Sequence, residues 1–343
     1  MPALEVLSFV DALALVPEVK KRHVLLGNGF SRAWRDDIFS YDALLDQAGF
    51  GALSPFARRA FDALGTTDFE DVMRALRSAA ALIRLYDSKN ENLPRRLVED
   101  AAGLREVLVQ TIASRHPERP SAVMPDEYEH ARTFLANFKT VYTLNYDLLL
   151  YWALMQQEVE PTILFDDGFR TPDEGPAEYV TWDVEKTDRQ NIHYLHGALH
   201  VFDAGHETQK YTWVNTGDAL IDQVRTALEN NLYPLFVSEG DSNQKLAKIK
   251  HSDFLARSYR SFAKIGGSLY VYGHSMAASD DHILQLIEKN RCAQLFVGLY
   301  GDPDSPANQG IRARSEELAE TRPERKPLEV GYFDAASAQV WRA

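Results

Sequence analysis

The stretch HVLLGNGFSRAW, residues 23–34, is an apolar run that leads into two glycines separated by one residue. The run is typical of a strand covered on both faces, and Gly27 and Gly29 let the backbone turn tightly into a following helix. At such a turn an α/β protein can bring backbone amides close to a phosphate group. The motif alone fits a purely structural turn equally well, because the G-x-G-x-x-G fingerprint fails at Arg32.

Similar short apolar runs recur along the chain, and several end in Gly, Asn or Ser ahead of a helical pattern. They cover residues 139–145, 191–197, 233–240, 268–273 and 293–301. Continuous apolar runs alternating with helical patterns favour strands of a parallel sheet. The sequence therefore predicts an α/β fold with a Rossmann-like parallel sheet flanked by helices, whose strand ends form a ligand crevice.

A long Ala-, Leu- and Arg-rich segment separates the first two of these strands. Within it, residues 69–86 and 93–117 carry apolar residues at steps of three and four, which indicates amphipathic helices. We predict a helical insert at 41–135 and a sheet domain made of 1–40 and 136–343. Two less regular segments are expected to be loops or short hairpins over the crevice; they are 151–190 and 199–230.

The composition excludes several classes of protein. The net charge of −13 makes a broad nucleic-acid surface unfavourable. No run approaches the roughly 18 apolar residues of a membrane helix, and residues 1–23 have the pattern of an amphipathic helix rather than a signal peptide. Cys292, the single cysteine, rules out internal disulfides and is expected to be a buried packing residue. These features predict a soluble, cytoplasmic protein without a membrane partner.

Three polar residues alternate where the second strand ends, in VYTLNYDLLL (141–150). On an extended chain Thr143, Asn145 and Asp147 would point to one side. A carboxamide beside a carboxylate could hold ribose hydroxyls or an amide group through paired hydrogen bonds. The alternative is that Asn or Asp caps the helix that follows.

Three histidines lie in IHYLHGALHVF (192–202), at positions 193, 196 and 200. Gly197 and the Ile192, Tyr194 alternation favour a strand followed by a turn. A metal site is not favoured, because neither an HExxH motif nor cysteine partners accompany the histidines. His196, at the strand end, is the best placed of the three for proton chemistry in a crevice.

The stretch LYVYGHSMAASDDHIL (269–284) resembles a nucleophile elbow read at Gly273, Ser275 and Ala277. This pattern raises the alternative of a serine hydrolase that uses Ser275. The hydrolase fold needs a catalytic histidine later in the chain, and the only later histidine is His282, in the same predicted helix. The usual triad therefore cannot be completed.

In chain order, GNGFS, TLNYD, LHG and YGHSM resemble the motif series of the SIR2 superfamily, whose usual forms are GAG-x-S, T-x-N-x-D, His-Gly and G-x-S. The chain is more closely similar to bacterial SIR2-like proteins of the domain of unknown function 4917. That resemblance is carried by LLGNGFS, DIFSYDALL, TLNYDLLLYWA and YGHSMAASDDHIL, and it spans most of residues 20–300.

The resemblance implies an NAD site and assigns roles to individual residues. His196 would be the general base, and Asn145 would act with it in catalysis. The implied cofactor-binding residues are Gly27, Asn28, Gly29, Phe30 and Ser31 for the pyrophosphate, Thr143 and Asp147 for the ribose and nicotinamide, and Gly273 and Ser275 for the adenosine ribose.

The implied activity is hydrolysis of NAD to nicotinamide and ADP-ribose, as in NAD-depleting effectors of bacterial antiphage defence, which are often homo-oligomers. The chain departs from the family pattern at Asn28, which replaces a small alanine. It also lacks the four-cysteine zinc module of deacetylating sirtuins, so no zinc is expected and deacetylation is disfavoured. Asn28 keeps a second hypothesis open, in which the protein binds NAD or ADP-ribose as a sensor without catalysis.

Overall fold

The computed structural model describes residues 5–39, 45, 48–50, 53, 55–66, 69–87, 89, 91–172, 179–211, 219–230, 232–237 and 242–342. Its strands are β1 (Val6–Leu7), β2 (Arg22–Leu26), β3 (Thr140–Thr143), β4 (Phe169–Arg170), β5 (Tyr179–Trp182), β6 (Ile192–Tyr194), β7 (Gly197–Asp203), β8 (Thr208–Tyr211), β9 (Tyr233–Phe236), β10 (Gly266–Tyr272), β11 (Arg291–Leu299) and β12 (Glu329–Asp334).

The helices follow the same chain order. They are α1 (Phe9–Ala14), α2 (Gly29–Arg32), α3 (Pro55–Leu64), α4 (Phe69–Tyr86), α5 (Asn92–Arg115), α6 (Pro125–Leu135), α7 (Leu149–Met155), α8 (Leu220–Glu229), α9 (Ser242–His251), α10 (Asp253–Phe262), α11 (Asp281–Lys289) and α12 (Pro306–Glu320).

The main sheet is parallel throughout, with strand order β1-β12-β11-β10-β2-β3-β6. From β2 the chain moves outward to β3 and β6, then returns to the other side of β2 to form β10, β11 and β12. This is the Rossmann strand order, and it confirms the predicted Rossmann-like parallel sheet. The direction of winding reverses between β2 and β10, where open α/β sheets bind their ligands beyond the strand carboxyl ends.

Helices cover both faces of this sheet, which explains its continuous apolar strands. On one face the Phe9 ring of α1 packs 5.2 Å from Phe134 of α6 and 5.5 Å from Phe333 of β12, measured between ring centroids. On the other face Phe262 of α10 packs 4.9 Å from Tyr142 of β3. These aromatic contacts fix the sheet between two helical layers.

A second, antiparallel sheet has the strand order β4-β5-β8-β7-β9. The prediction of loops or short hairpins for 151–190 and 199–230 agrees with the β7–β8 hairpin. It did not anticipate that five strands join into one sheet, nor helix α8. The prediction that 233–240 contributes to the parallel sheet was wrong, since β9 pairs antiparallel with β7. A short apolar run such as YPLF indicates a strand but carries no information about which sheet the strand joins.

Helices α3, α4 and α5 lie within the stretch predicted as a helical insert. Helix α6, at the end of that stretch, belongs to the layer against the main sheet, where Phe134 packs 5.2 Å from Tyr272 of β10. The boundary between an insert at 41–135 and a sheet domain at 1–40 and 136–343 stays a prediction.

Two expectations from composition can be compared with the structure. Cys292 is buried, as predicted for a packing residue, and burial raises the pKa of its thiol to about 12. Among the described residues, none of the helices is both long and apolar enough to cross a membrane.

Candidate functional site

The loops that follow β2 and β10 touch each other where the strand order reverses. The Gly29 amide donates to the Gly273 carbonyl at 2.8 Å, and the Gly27 amide donates to Tyr272 at 2.9 Å. A Cβ atom on Gly29 would lie 2.4 Å from the Cα of Gly273, and one on Gly27 would lie 2.6 Å from the Gly273 carbonyl oxygen. Both glycines are therefore required by the close approach of two backbones.

Four amides of this turn, from Gly27, Gly29, Phe30 and Ser31, are engaged within the protein. Those of Phe30 and Ser31 donate to the carbonyls of Gly27 and Asn28, each at 3.0 Å. The Asn28 side chain donates to the Phe39 carbonyl at 2.7 Å. The Phe30 ring is buried, so this residue could reach a cofactor only through its backbone. A phosphate that contacts the Phe30 or Ser31 amide would have to compete with these bonds.

Ser31, Asn145 and Asp147 meet beneath the turn and form a buried polar set. The Ser31 hydroxyl donates to Oδ2 of Asp147 at 2.5 Å, and Nδ2 of Asn145 donates to the Ser31 hydroxyl at 3.1 Å. Oδ1 of Asp147 accepts the amide of Leu149, the first residue of α7, at 2.9 Å. The side chain of Thr143 accepts the Asn145 amide at 3.0 Å. The N-cap position is Leu148, so neither Asn145 nor Asp147 is the N-cap residue, but Asp147 joins the polar set and also bonds the start of the helix.

Burial dominates the electrostatics of Asp147. It raises the pKa of the carboxyl group to about 6, although the hydrogen bonds from Ser31 and Leu149 lower the pKa. At pH 7 the group is therefore ionised at a cost to folding, because the unfolded chain ionises it more easily. A carboxylate held in a dry site can stabilise a positive charge that develops nearby.

We expect Asp147→Asn to increase the free energy of unfolding at pH 7.5 by up to about 3 kcal/mol. The amide resembles the protonated carboxyl group and can still bond to Ser31 and the Leu149 amide. Urea unfolding of wild type and variant measures the difference, which should shrink as the pH falls from 6 toward 4. Asp62→Asn, at a side chain 73% exposed on α3, is the matched control. A variant less stable than wild type at pH 7.5 would contradict this expectation.

His196 lies in the turn between β6 of the main sheet and β7 of the second sheet. Its Nε2 atom is 3.0 Å from Nε2 of His282, and the two ring planes are nearly parallel, 17° apart, with centroids 5.2 Å apart. Burial lowers the pKa of His196 to about 3 despite the nearby carboxylate of Asp280, and burial likewise lowers the pKa of His282 to about 4. Both imidazoles are therefore neutral at pH 7.

Asp280 links this histidine pair to the loop after β10. Its Oδ1 lies 3.9 Å from Nε2 of His196 and 2.9 Å from Nζ of Lys245, and its Oδ2 lies 3.1 Å from Nε2 of His274. Burial raises the pKa of Asp280, but the bond from His274 and the surrounding charges hold it well below its usual range. Sequence reasoning missed Asp280, His274 and Lys245. The polar run after β10 offered a signal for the first two, whereas nothing local singled out Lys245 on α9.

Ser275 is exposed in the loop after β10. Two residues of that loop have a left-handed backbone, Gly273 with φ 68° and Met276 with φ 56°. The ring nitrogens of His282 face His196 and the Ser242 hydroxyl, the latter at 3.4 Å. Neither nitrogen is left to activate Ser275, which argues against the serine hydrolase alternative.

One comparison with known proteins found a match. The family model described as Domain of unknown function (DUF4917) matches residues 24–341. No curated protein matches the chain. The matched range contains the glycine turn, the Ser31–Asn145–Asp147 set and the histidine pair.

Proposed function

The chain belongs to the family of the domain of unknown function DUF4917, and we propose that it is a SIR2-like protein that binds NAD and hydrolyses it to nicotinamide and ADP-ribose. The observation that carries the proposal is the buried set of Ser31, Asn145 and Asp147. It lies at the carboxyl ends of β2 and β3, beside the reversal of strand order where such sheets bind nucleotides. The NAD-depleting role in antiphage defence that the resemblance implies is part of the same proposal.

Cleavage of a nicotinamide glycosidic bond builds positive charge on the ribose. The transition state resembles an oxocarbenium ion, which a nearby carboxylate stabilises. Asp147 has a pKa of about 6 and is ionised at pH 7. The Asn145 carboxamide would orient the ribose by hydrogen bonding, so that bond cleavage needs little further loss of freedom.

His196 would contribute a hydrogen-bond acceptor for a ribose hydroxyl or a water molecule. Each neutral imidazole has one ring nitrogen that can accept a hydrogen bond. In the His196–His282 pair, one of these two nitrogens accepts the bond between the rings. If Nδ1 of His282 donates to Ser242, its Nε2 accepts from His196, and Nδ1 of His196 keeps the second lone pair. Ser242 would thus set the tautomer in which His196 can accept a proton.

Incubation of the purified protein with NAD, followed by chromatography of nicotinamide and ADP-ribose, tests the proposal. We expect His196→Ala, Asn145→Ala and Asp147→Asn each to slow nicotinamide release by at least about 100-fold. His206→Ala is the matched control, because the His206 side chain is 78% exposed in the turn between β7 and β8. Thermal unfolding of each variant checks that the fold is retained. Equal turnover in wild type and all three site variants would refute the proposal.

A second candidate function is NAD or ADP-ribose sensing without catalysis. It is favoured by Asn28, whose side chain is held at the turn by a 2.7 Å bond to the Phe39 carbonyl where the resemblance has a small alanine. Calorimetry in parallel with chromatography separates the two functions. NAD binding without nicotinamide release would indicate a sensor, and neither binding nor release would mean that the glycines serve only to pack the two loops.

A further inference from the structure

His196, Asp280 and His282 place three metal-ligand atoms together where the turn after β6 meets the start of α11. Although the sequence pattern did not favour a metal site, we propose that these side chains form a binding site for one divalent transition-metal ion of the Zn²⁺ class. Their candidate ligand atoms all lie within 4.8 Å of one another. The site goes beyond the proposed NAD chemistry, and its test does not depend on that chemistry.

The histidine pair has nearly the spacing that one ion requires. Zinc binds imidazole nitrogen at about 2.0–2.1 Å. The 3.0 Å separation of the two Nε2 atoms therefore corresponds to an angle of about 95° at a shared ion. Both rings must also turn, because centroids 5.2 Å apart with nearly parallel planes leave the two Nε2 lone pairs pointing at each other rather than at a common ion. Oδ1 of Asp280, 3.9 Å from Nε2 of His196, needs a modest approach to become the third ligand, which leaves a fourth position for water.

The donor set and its surroundings select the class of ion. Two imidazoles and one carboxylate suit Zn²⁺, Co²⁺ or Ni²⁺, whereas Mg²⁺ and Ca²⁺ require mostly oxygen ligands. Ser242 lies 3.4 Å from Nδ1 of His282, and His274 lies 3.1 Å from Oδ2 of Asp280. Such outer contacts orient metal ligands and set their tautomers. Binding would require the proton on Nε2 of His196 to move to its Nδ1, so that the Nε2 lone pairs of both neutral imidazoles are free for the ion.

Lys245 opposes metal binding and gives the site a specific signature. Its Nζ atom lies 2.9 Å from Oδ1 of Asp280, and its side chain is 9% exposed. An incoming cation must displace this ammonium group from the carboxylate and is repelled by its charge. Removing Lys245 should therefore strengthen binding, while removing a ligand should weaken it.

The experiment is titration of the full-length, chelator-treated protein with Co²⁺, followed by visible absorption, and with Zn²⁺ by calorimetry. We expect one ion per chain. His282→Ala should lower the affinity at least 100-fold, and Lys245→Met should raise it at least tenfold. His206→Ala, at an exposed histidine, should leave both the affinity and the stoichiometry unchanged.

Binding of less than one tenth of an ion per chain would overturn the proposal. So would an unchanged affinity in His282→Ala, or a weaker affinity in Lys245→Met. If His282→Ala does not fold, the proposal is tested by whether Lys245→Met binds metal more strongly or more weakly than wild type. The Co²⁺ absorption spectrum of wild type then shows whether nitrogen ligands hold the ion. Since the readout is metal binding, a protein that binds Zn²⁺ but does not cleave NAD would refute only the proposed function.

Discussion

The protein is expected to lose stability steeply as the pH falls below about 6.5, because six buried histidines are held neutral in the fold. Burial lowers the pKa of five of them to between about 3 and about 4, and that of the sixth well below its usual value. The six are His23, His116, His193, His196, His200 and His282.

The sign follows from proton linkage. Unfolded histidine takes up a proton near pH 6.5, before the folded groups do, so acid stabilises the unfolded chain. A histidine whose pKa is 6.5 in the unfolded chain and about 4 in the fold lowers the free energy of unfolding by up to about 3 kcal/mol as the pH falls from 6.5 to 4. Several such groups therefore offset a large part of the roughly 5–15 kcal/mol that stabilises a typical domain. Asp147 acts in the opposite direction between pH 6 and 4, but it is a single group.

Urea unfolding followed by circular dichroism between pH 8 and 4.5 measures this loss. His200→Phe is the informative variant, because the described residues supply no hydrogen-bond partner for either ring nitrogen of His200, and its ring stacks 4.4 Å from Tyr151. Phenylalanine keeps the ring but cannot titrate, so the variant should lose less stability in acid. His206→Phe, at an exposed histidine, should change nothing. A free energy of unfolding that stays constant between pH 7 and pH 5 would contradict the prediction.

Gly29→Ala is expected to destabilise the fold by about 3 kcal/mol or more, at the upper end of the usual cost of overpacking. The new Cβ would lie 2.4 Å from the Cα of Gly273 and 3.0 Å from its carbonyl oxygen. Backbone atoms cannot swing aside as a side chain can, so the loops after β2 and β10 must separate. Their separation would also lengthen the bond from the Gly29 amide to Gly273.

The matched control is Gly310→Ala in helix α12, where nothing lies within 4 Å of the added Cβ. Alanine should stabilise that helix by roughly 0.5–1 kcal/mol, because glycine is a poor helix former. Thermal and urea unfolding of both variants measure the two opposite effects. If Gly29→Ala were as stable as wild type, the two loops would not be packed as closely as the structure places them.

The local pattern of residues was sufficient to predict the main sheet and the polar residues at the end of β3 in the candidate site. Apolar runs that end in Gly27, Asn145 or His196 lie between helical patterns, and parallel strands bring their carboxyl ends to one edge. The alternation of Asn145 and Asp147 correctly indicated side chains on one side, since both contact Ser31. These features depend on residues a few positions apart, so a single sequence contains them.

The α/β class, the strand ends and the polar residues placed there follow from the local pattern of residues. That β9 joins the antiparallel sheet, and that Lys245 and Asp280 gather around the His196–His282 pair, depends on contacts in the folded chain. His196 and His282 are 86 positions apart. Contacts over such separations depend on how helices pack on the sheet, and packing is decided by the shape and burial of many side chains together rather than by any local pattern.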